Sequence, residues 1–208
     1  MADPFQGILE HQGAVMLDGG LATSLEERGH TLDSHLWSAK VLIDAPEEIA
    51  AVHRAFLDVG ADCVTTASYQ ASYEGLSRLG FDMVTTDELL IRSVTLARDA
   101  VEDFWLDVAS PRSRTRPLVA AWIGPYGAYL GDGSEYNGRY GVAEQDLIDF
   151  HRRRFKLLAT SGADLLACET IPSVDEARVL LELYRETPEA RGWISFSCRD
   201  GAHLNDGT

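Results

Sequence analysis

The chain has 208 residues, 45% of them hydrophobic and 25% charged, a composition typical of one soluble domain with a sizeable core. Its 18 basic and 33 acidic residues give a formal net charge of -15, which disfavours nucleic acid and anionic membrane surfaces as partners. The first residues do not resemble a signal peptide and no apolar run reaches the roughly 20 residues of a membrane span, so we expect a cytoplasmic protein.

The first predicted strand covers residues 15–17 and ends in Asp18, which two glycines follow. A parallel strand that ends in a carboxylate presents it at the rim of the sheet, where α/β proteins hold their active sites. A short helix at residues 21–28 comes next and stops at Gly29. Asp18 is therefore a candidate site residue.

A longer helix is predicted after Asp44 and Glu47, which have the spacing of a capping box, and it ends at Gly60. The strand that follows gives way to polar residues and to Tyr69, again at a predicted rim. Gly-Ala-Asp precedes this strand at residues 60–62 and precedes a later strand at residues 162–164. The repeat predicts that one helix-to-strand turn of a β/α unit is used twice.

The next predicted helix is long, covering residues 87–108 with Thr85 and Glu88 as its cap, and it leads to a third strand at residues 118–123. Residues 124–136 then form a long loop rich in glycine and tyrosine, a feature that is usually functional at a rim. The loop lacks the glycine motifs that cradle phosphate, so its tyrosines could instead contact a cationic ligand.

The fourth predicted strand is the apolar run that starts at residue 163 and delivers Glu169 to the rim. A helix follows directly, and Ser173 with Glu176 has the spacing of its capping box. Position alone leaves open a second interpretation, in which Glu169 merely caps that helix or pairs with an arginine. A fifth strand is predicted at residues 192–197.

Five strands that alternate with helices indicate an α/β protein, either a (β/α)8 TIM-barrel type or a doubly wound sheet. A repeat of roughly 45 residues would make eight units about 350 residues long. We therefore expect only about five of eight units in this chain, as one domain over residues 1–208 that is incomplete at its C-terminus. The alternative is an open sheet with exposed edges.

The three cysteines are odd in number and form no CxxC pair, so they indicate neither a disulfide framework nor a zinc finger. We interpret Cys63, Cys168 and Cys198 as buried reduced thiols.

Five short motifs carry a resemblance that spans nearly all of the chain. They are LDGGLAT at residues 17–23, LWSA at 36–39, TASYQAS at 66–72, GPYGA at 124–128 and CETIP at 168–172. Together and in this order they resemble the homocysteine S-methyltransferases. The resemblance implies a zinc-dependent (β/α)8 barrel that transfers a methyl group from S-methylmethionine or S-adenosylmethionine to L-homocysteine, giving methionine. The SYQAS and ETIP versions are more similar to the S-methylmethionine users than to the betaine users.

The same resemblance implies roles for individual residues. Asp18 and Glu169 would receive the homocysteine ammonium, while Trp37 and Tyr69 would line the pocket where the two substrates meet. Aromatic faces and carboxylates suit a sulfonium donor, which is positively charged until it gives up its methyl group. Zinc would deprotonate the homocysteine thiol, but the three cysteines that hold it in the family would lie beyond Thr208. We therefore expect no metal ligands in this chain.

Two other interpretations remain open from the sequence. A different barrel enzyme, a lyase or hydrolase, could use Asp18 and Glu169 as an acid and base pair on neighbouring rims. The chain could also be a non-catalytic remnant, or a subunit that another chain completes.

Overall fold

The computed structural model describes residues 3–31, 37–107 and 114–208. Four parallel strands form one sheet, in the order β1 (Cys63–Thr65), β2 (Leu118–Ile123), β3 (Leu165–Ile171) and β4 (Gly192–Phe196). The helices are α1 (Gln6–Gln12), α2 (Leu21–Glu27), α3 (Trp37–Asp44), α4 (Pro46–Asp58), α5 (Tyr73–Arg78), α6 (Met83–Asp107), α7 (Tyr126–Leu130), α8 (Glu144–Ala159) and α9 (Val174–Glu186). The predicted α/β class with a parallel sheet is confirmed. No helix in the described ranges is long and apolar enough to cross a bilayer.

The predicted first strand is present only as a parallel bridge between Leu17 and Cys63, so the count of five full strands is not confirmed. Three backbone hydrogen bonds join it to the start of β1. The N–H groups of Asp62 and Cys63 donate to the Met16 carbonyl at 2.7 and 3.3 Å, and the Asp18 N–H donates to the Cys63 carbonyl at 3.0 Å. The chain turns away at the two glycines after Asp18, which limits the pairing to this short stretch. Asp18 nevertheless lies beside the end of β1.

The two Gly-Ala-Asp turns have the same local structure, as the repeat predicts. Asp164 donates its backbone N–H to the Val119 carbonyl and accepts the Val119 N–H on its carboxylate, both at 2.8 Å. Asp62 makes the same reciprocal pair with Met16, at 2.7 and 2.8 Å. Each aspartate thus fixes the start of its own strand to the start of the preceding one.

Two predicted helix caps are wrong. Asp44 is the last residue of α3, so it cannot take the extended backbone of a cap, and α4 begins after Ala45 without a side-chain cap. Thr85 lies inside α6, which starts at Met83 because the Asp82 carboxylate accepts the Thr85 N–H at 2.8 Å. Ser173 is confirmed as the cap of α9, accepting the N–H of Glu176 at 3.3 Å.

The sheet separates two groups of apolar side chains. The larger group packs between the sheet and the helices. The smaller one lies on the opposite, inner face, where Cys63, Ala120, Leu165 and Ala167 are buried together with parts of Phe5, Trp122 and Trp193. Because strand side chains alternate, Glu169 shares this inner face with Ala167 and Leu165. The inner face therefore leads directly to the rim carboxylate.

Candidate active site

Glu169 lies near the end of β3, at an irregularity in its pairing with β4. The pairing with β4 shifts between Cys168 and Ile171, and Thr170 adopts a left-handed backbone with φ of 63°. Bulges of this kind redirect a side chain beside an active site. Glu169 accepts a hydrogen bond from the indole Nε1 of Trp193 at 2.8 Å, and the cap of α9 is Ser173. The interpretation of Glu169 as a helix cap is therefore wrong.

Asp18 is held over the end of β1 by Thr65. One carboxylate oxygen accepts the Thr65 N–H at 2.8 Å and its hydroxyl at 3.1 Å. The pKa of Asp18 is raised from 3.8 to about 7, chiefly by burial and to a smaller extent by the negative charge of Glu169, while the Thr65 hydrogen bonds act in the opposite direction. The two acidic residues predicted from separate strands thus interact across the same rim.

Tyr69 is packed into the rim between the ends of β1 and β2. Its ring lies against Trp122 with centroids 4.6 Å apart. Its carbonyl accepts the Gly124 N–H at 3.2 Å. A Cβ on Gly124 would lie 2.8 Å from the Tyr69 ring, so only glycine allows this approach. Burial raises the pKa of Tyr69 well above its usual value, which keeps the phenol protonated.

Trp37, the remaining predicted site residue, begins α3, but its side chain lies outside the described part of the structure. Its place in the pocket stays a prediction.

Sequence reasoning missed three residues that support this rim. Thr65 orients Asp18, Trp193 orients Glu169, and Trp122 carries the Tyr69 ring. The sequence feature that could have identified Trp122 is the alternation of side chains along a strand, which places it on the same face as Ala120. Its buried indole Nε1 has no hydrogen-bond partner among the described residues. Such a group is costly unless a ligand or water satisfies it.

The three cysteines do not converge. Cys63 is buried on the inner face, whereas Cys168 belongs to the core on the helix side. Cys198 is exposed after the end of β4, so its predicted burial is wrong. Burial raises the pKa of the Cys168 thiol to about 12, which disfavours the thiolate that zinc requires. The described ranges contain no group of three His, Cys, Asp or Glu side chains able to hold a metal, so these residues do not fit a zinc site.

Residues 15–208 match the sequence profile of a family described as homocysteine S-methyltransferase. The chain belongs to this family. The resemblance carried by the five motifs is thereby confirmed.

Two bacterial members of the family are similar to this chain over nearly its whole length. It is 48% identical over 206 residues to homocysteine S-methyltransferase YbgG of Bacillus subtilis and 47% identical over 206 residues to homocysteine S-methyltransferase of Escherichia coli. In both cases the match covers 99% of this chain. The chain spans 65% and 66% of the lengths of these two relatives.

A solved structure extends the likeness to three dimensions. The metallated form of the homocysteine methyltransferase MmuM from Escherichia coli is similar with a TM-score of 0.93 and 46% sequence identity. That match covers 99% of this chain and 70% of the MmuM chain. The oxidized form of MmuM gives a TM-score of 0.94.

Proposed function

We propose that the protein is a homocysteine S-methyltransferase, which moves a methyl group from S-methylmethionine or S-adenosylmethionine to L-homocysteine and so forms methionine. Family membership and the likeness to MmuM support this proposal. The observation that carries it is the position of Asp18 and Glu169 at one rim, beside the aromatic ring of Tyr69. We also infer that the described sheet and the Leu17 bridge are the first five units of a (β/α)8 barrel domain.

Asp18 and Glu169 would bind the homocysteine ammonium. An ammonium group offers three N–H donors, and two carboxylates at the same rim, one after the Leu17 bridge and one near the end of β3, can accept them from different directions. Thr65 and Trp193 leave acceptor capacity on both carboxylates, since each carboxylate has about four lone-pair sites. A bound ammonium would also lower the pKa of Asp18 and keep that residue ionised.

Tyr69, with Trp122 behind it and Trp37 as a further lining residue, would face the sulfonium centre of the methyl donor. A cation over an aromatic ring is stabilised by about 0.5–2 kcal/mol. That attraction fades as the methyl group leaves and the sulfur becomes neutral, so the rings contribute to binding and orienting the donor. Zinc stays an expectation from the family resemblance. Within the part of the chain that the structure describes, the residues do not assemble its ligands.

The product of the complete gene provides the test of this proposal. Glu169→Ala should lower kcat/KM for homocysteine by at least about tenfold, equivalent to about 1.4 kcal/mol, because the ammonium loses a charged partner. Steady-state methionine formation measures the change. Glu182→Ala, at a solvent-exposed position of α9 where Glu182 pairs with Arg185, is the matched control and should leave kcat/KM unchanged. Unchanged kinetics for both Glu169→Ala and Asp18→Ala would contradict the proposed role.

A further inference from the structure

A second set of polar side chains is buried on the helix side of the sheet, behind the rim. It consists of Glu176 on α9 and of His151 and Arg154 on α8, which we call the buried relay. The three residues are 0%, 0% and 1% exposed. The predicted capping box is wrong for the side chain of Glu176. Its carboxylate points inward to donors on three other segments instead of back to Ser173.

Glu176 is the anionic end of the buried relay. Its Oε1 accepts the Tyr126 N–H at 2.6 Å and a hydrogen bond from His151 Nε2 at 2.8 Å, and its Oε2 accepts the Tyr140 hydroxyl at 2.8 Å. Both carboxylate oxygens thus act as hydrogen-bond acceptors. His151 therefore donates from Nε2, and its Nδ1 is free to accept a hydrogen bond from Arg154 at 3.2 Å. The histidine is neutral, and Glu176 balances the charge of Arg154.

Arg154 is the cationic end, and its guanidinium spans two rim loops. Nη1 donates to the Ala71 carbonyl at 3.1 Å, in the loop after β1, and Nη2 donates to the Gly124 carbonyl at 2.8 Å, directly after β2. The planar fork of arginine suits two acceptors at fixed separation. The relay thus ties α9 to both loops through α8.

Both loops are connected to Tyr69, one by contact and the other through the chain. Gly124, whose carbonyl Arg154 holds, donates its own N–H to the Tyr69 carbonyl and lies against the Tyr69 ring. Ala71 is two residues after Tyr69 in the chain. A movement of either loop would therefore move the ring that the proposed function places at the methyl donor.

Buried charged groups such as Glu176 and Arg154 are weak evidence for stability, because desolvation offsets most of the attraction that they gain. The hydrogen bonds of Arg154 end on carbonyls of the two loops that frame Tyr69, which indicates a role in geometry. Resting on the proposed function, we propose that Glu176, His151 and Arg154 are positioning residues that hold Tyr69 in register with the methyl donor.

Kinetics of the complete gene product test this proposal through a comparison of the two substrates. Arg154→Met should raise KM for the sulfonium donor by about tenfold while KM for homocysteine changes little, since small displacements of a positioning group are costly. Gly124→Ala, which pushes the Tyr69 ring directly, should give the same pattern. The double variant should be no worse than either single variant, because both act through one ring. The surface neighbour Arg152, paired with Glu186, supplies the control Arg152→Met with both KM values unchanged.

A purely structural role would lower the amount of active enzyme and leave both KM values as they are, and that result would overturn the proposal. If Arg154→Met does not fold, Arg154→Lys decides in its place, since a single ammonium cannot span both carbonyls.

Near-ultraviolet circular dichroism reports the Tyr69–Trp122 contact without an activity assay. The spectrum of each protein is compared with that of the same protein carrying Tyr69→Leu, and the difference is the contribution of Tyr69. If the wild-type protein forms no methionine, the proposed function fails, and this signal alone decides: a changed Tyr69 contribution in the Arg154 variant supports positioning, and an unchanged one overturns it.

Discussion

Asp18 lies half-buried at the rim, where burial first and then Glu169 raise its pKa from 3.8 to about 7. Between about pH 4 and about pH 7 the folded protein therefore keeps a proton that the unfolded chain releases. The stability that protonated Asp18 contributes is lost as the pH rises through this window. At neutral pH the empty site thus carries a carboxylate that opposes folding and is suited to a cationic ligand.

Asp18→Asn should accordingly stabilise the unliganded protein by about 1–3 kcal/mol at pH 8, because the amide keeps the Thr65 N–H bond without a buried charge. The gain should shrink as the pH falls from about 7 and vanish near pH 4. Urea denaturation at several pH values measures it. Asp149→Asn, at an exposed position of α8 where Asp149 accepts from Gln145, is the control and should show no such trend. A stability gain that does not depend on pH would contradict the raised pKa.

At the residue scale, sequence reasoning found the groups that face the proposed substrates more readily than those that hold them. Asp18 and Glu169 stand out because each ends a short apolar strand, a local pattern. Thr65 and Trp193 orient them through pairings between strands, and local periodicity does not specify which residues meet there. Glu176 was misread because the Ser-x-x-Glu spacing of a capping box also fits a glutamate that faces the core.

At the element scale, the junction of β3 and β4 depends on Gly192. A Cβ at this position would lie only 1.9 Å from the Leu166 carbonyl oxygen and 2.4 Å from the Tyr184 hydroxyl. The strands pair here through Leu166 and Gly192 themselves, so neither backbone can move away without breaking the register. The absence of a side chain sets where β4 begins.

Gly192→Ala should therefore lower the free energy of unfolding by about 3 kcal/mol, the cost of forcing extra atoms into a packed site. Thermal unfolding followed by circular dichroism measures the loss. Gly201→Ala is the matched control, since a Cβ there meets nothing within 4 Å and the backbone is not left-handed, so its Tm should be unchanged. A wild-type Tm for Gly192→Ala would show that β4 pairs differently.

The order of strands and helices was largely predictable, because apolar periodicity and the Gly-Ala-Asp repeat are local signals. The predicted long loop at residues 124–136 instead contains α7 and a short 3-10 helix at Ser134–Tyr136. Gly127 allows that arrangement, since a Cβ on it would lie 2.3 Å from the Glu135 nitrogen. This contact joins two segments of the loop, and no propensity of either segment alone reveals it.

At the scale of the whole molecule, β4 presents an apolar groove of about 470 Å³ that α9 and the strand form together. Leu181 and Phe196 are 49% and 46% exposed there, and Trp193 lines the same surface. Within the described residues β4 pairs only with β3, so its other edge also offers free hydrogen-bonding groups. Exposed apolar surface beside an open strand edge favours association.

The 208-residue chain produced by itself should therefore bind a hydrophobic dye such as ANS and elute as oligomers that grow with concentration. Leu181→Lys should reduce both signals, because it places a charge in the groove. Fluorescence titration and size-exclusion chromatography are the measurements, and the product of the complete gene is the comparison. A protein that stays monomeric at all concentrations and does not increase ANS fluorescence would show that the groove and the strand edge do not drive association.

The strands lie in the sheet in the order in which they occur along the chain. On the ribosome, every strand therefore emerges after the neighbour with which it pairs, and the nascent sheet can lengthen by one strand at a time. Each addition needs only the closure of the intervening helical segment, since no strand has to wait for a partner that is still to be synthesised. The Leu17 bridge is laid down first and stays at one edge, while the opposite edge advances with translation. A site assembled at one rim from the ends of several strands, such as the one that contains Asp18 and Glu169, would then be completed in the order of synthesis.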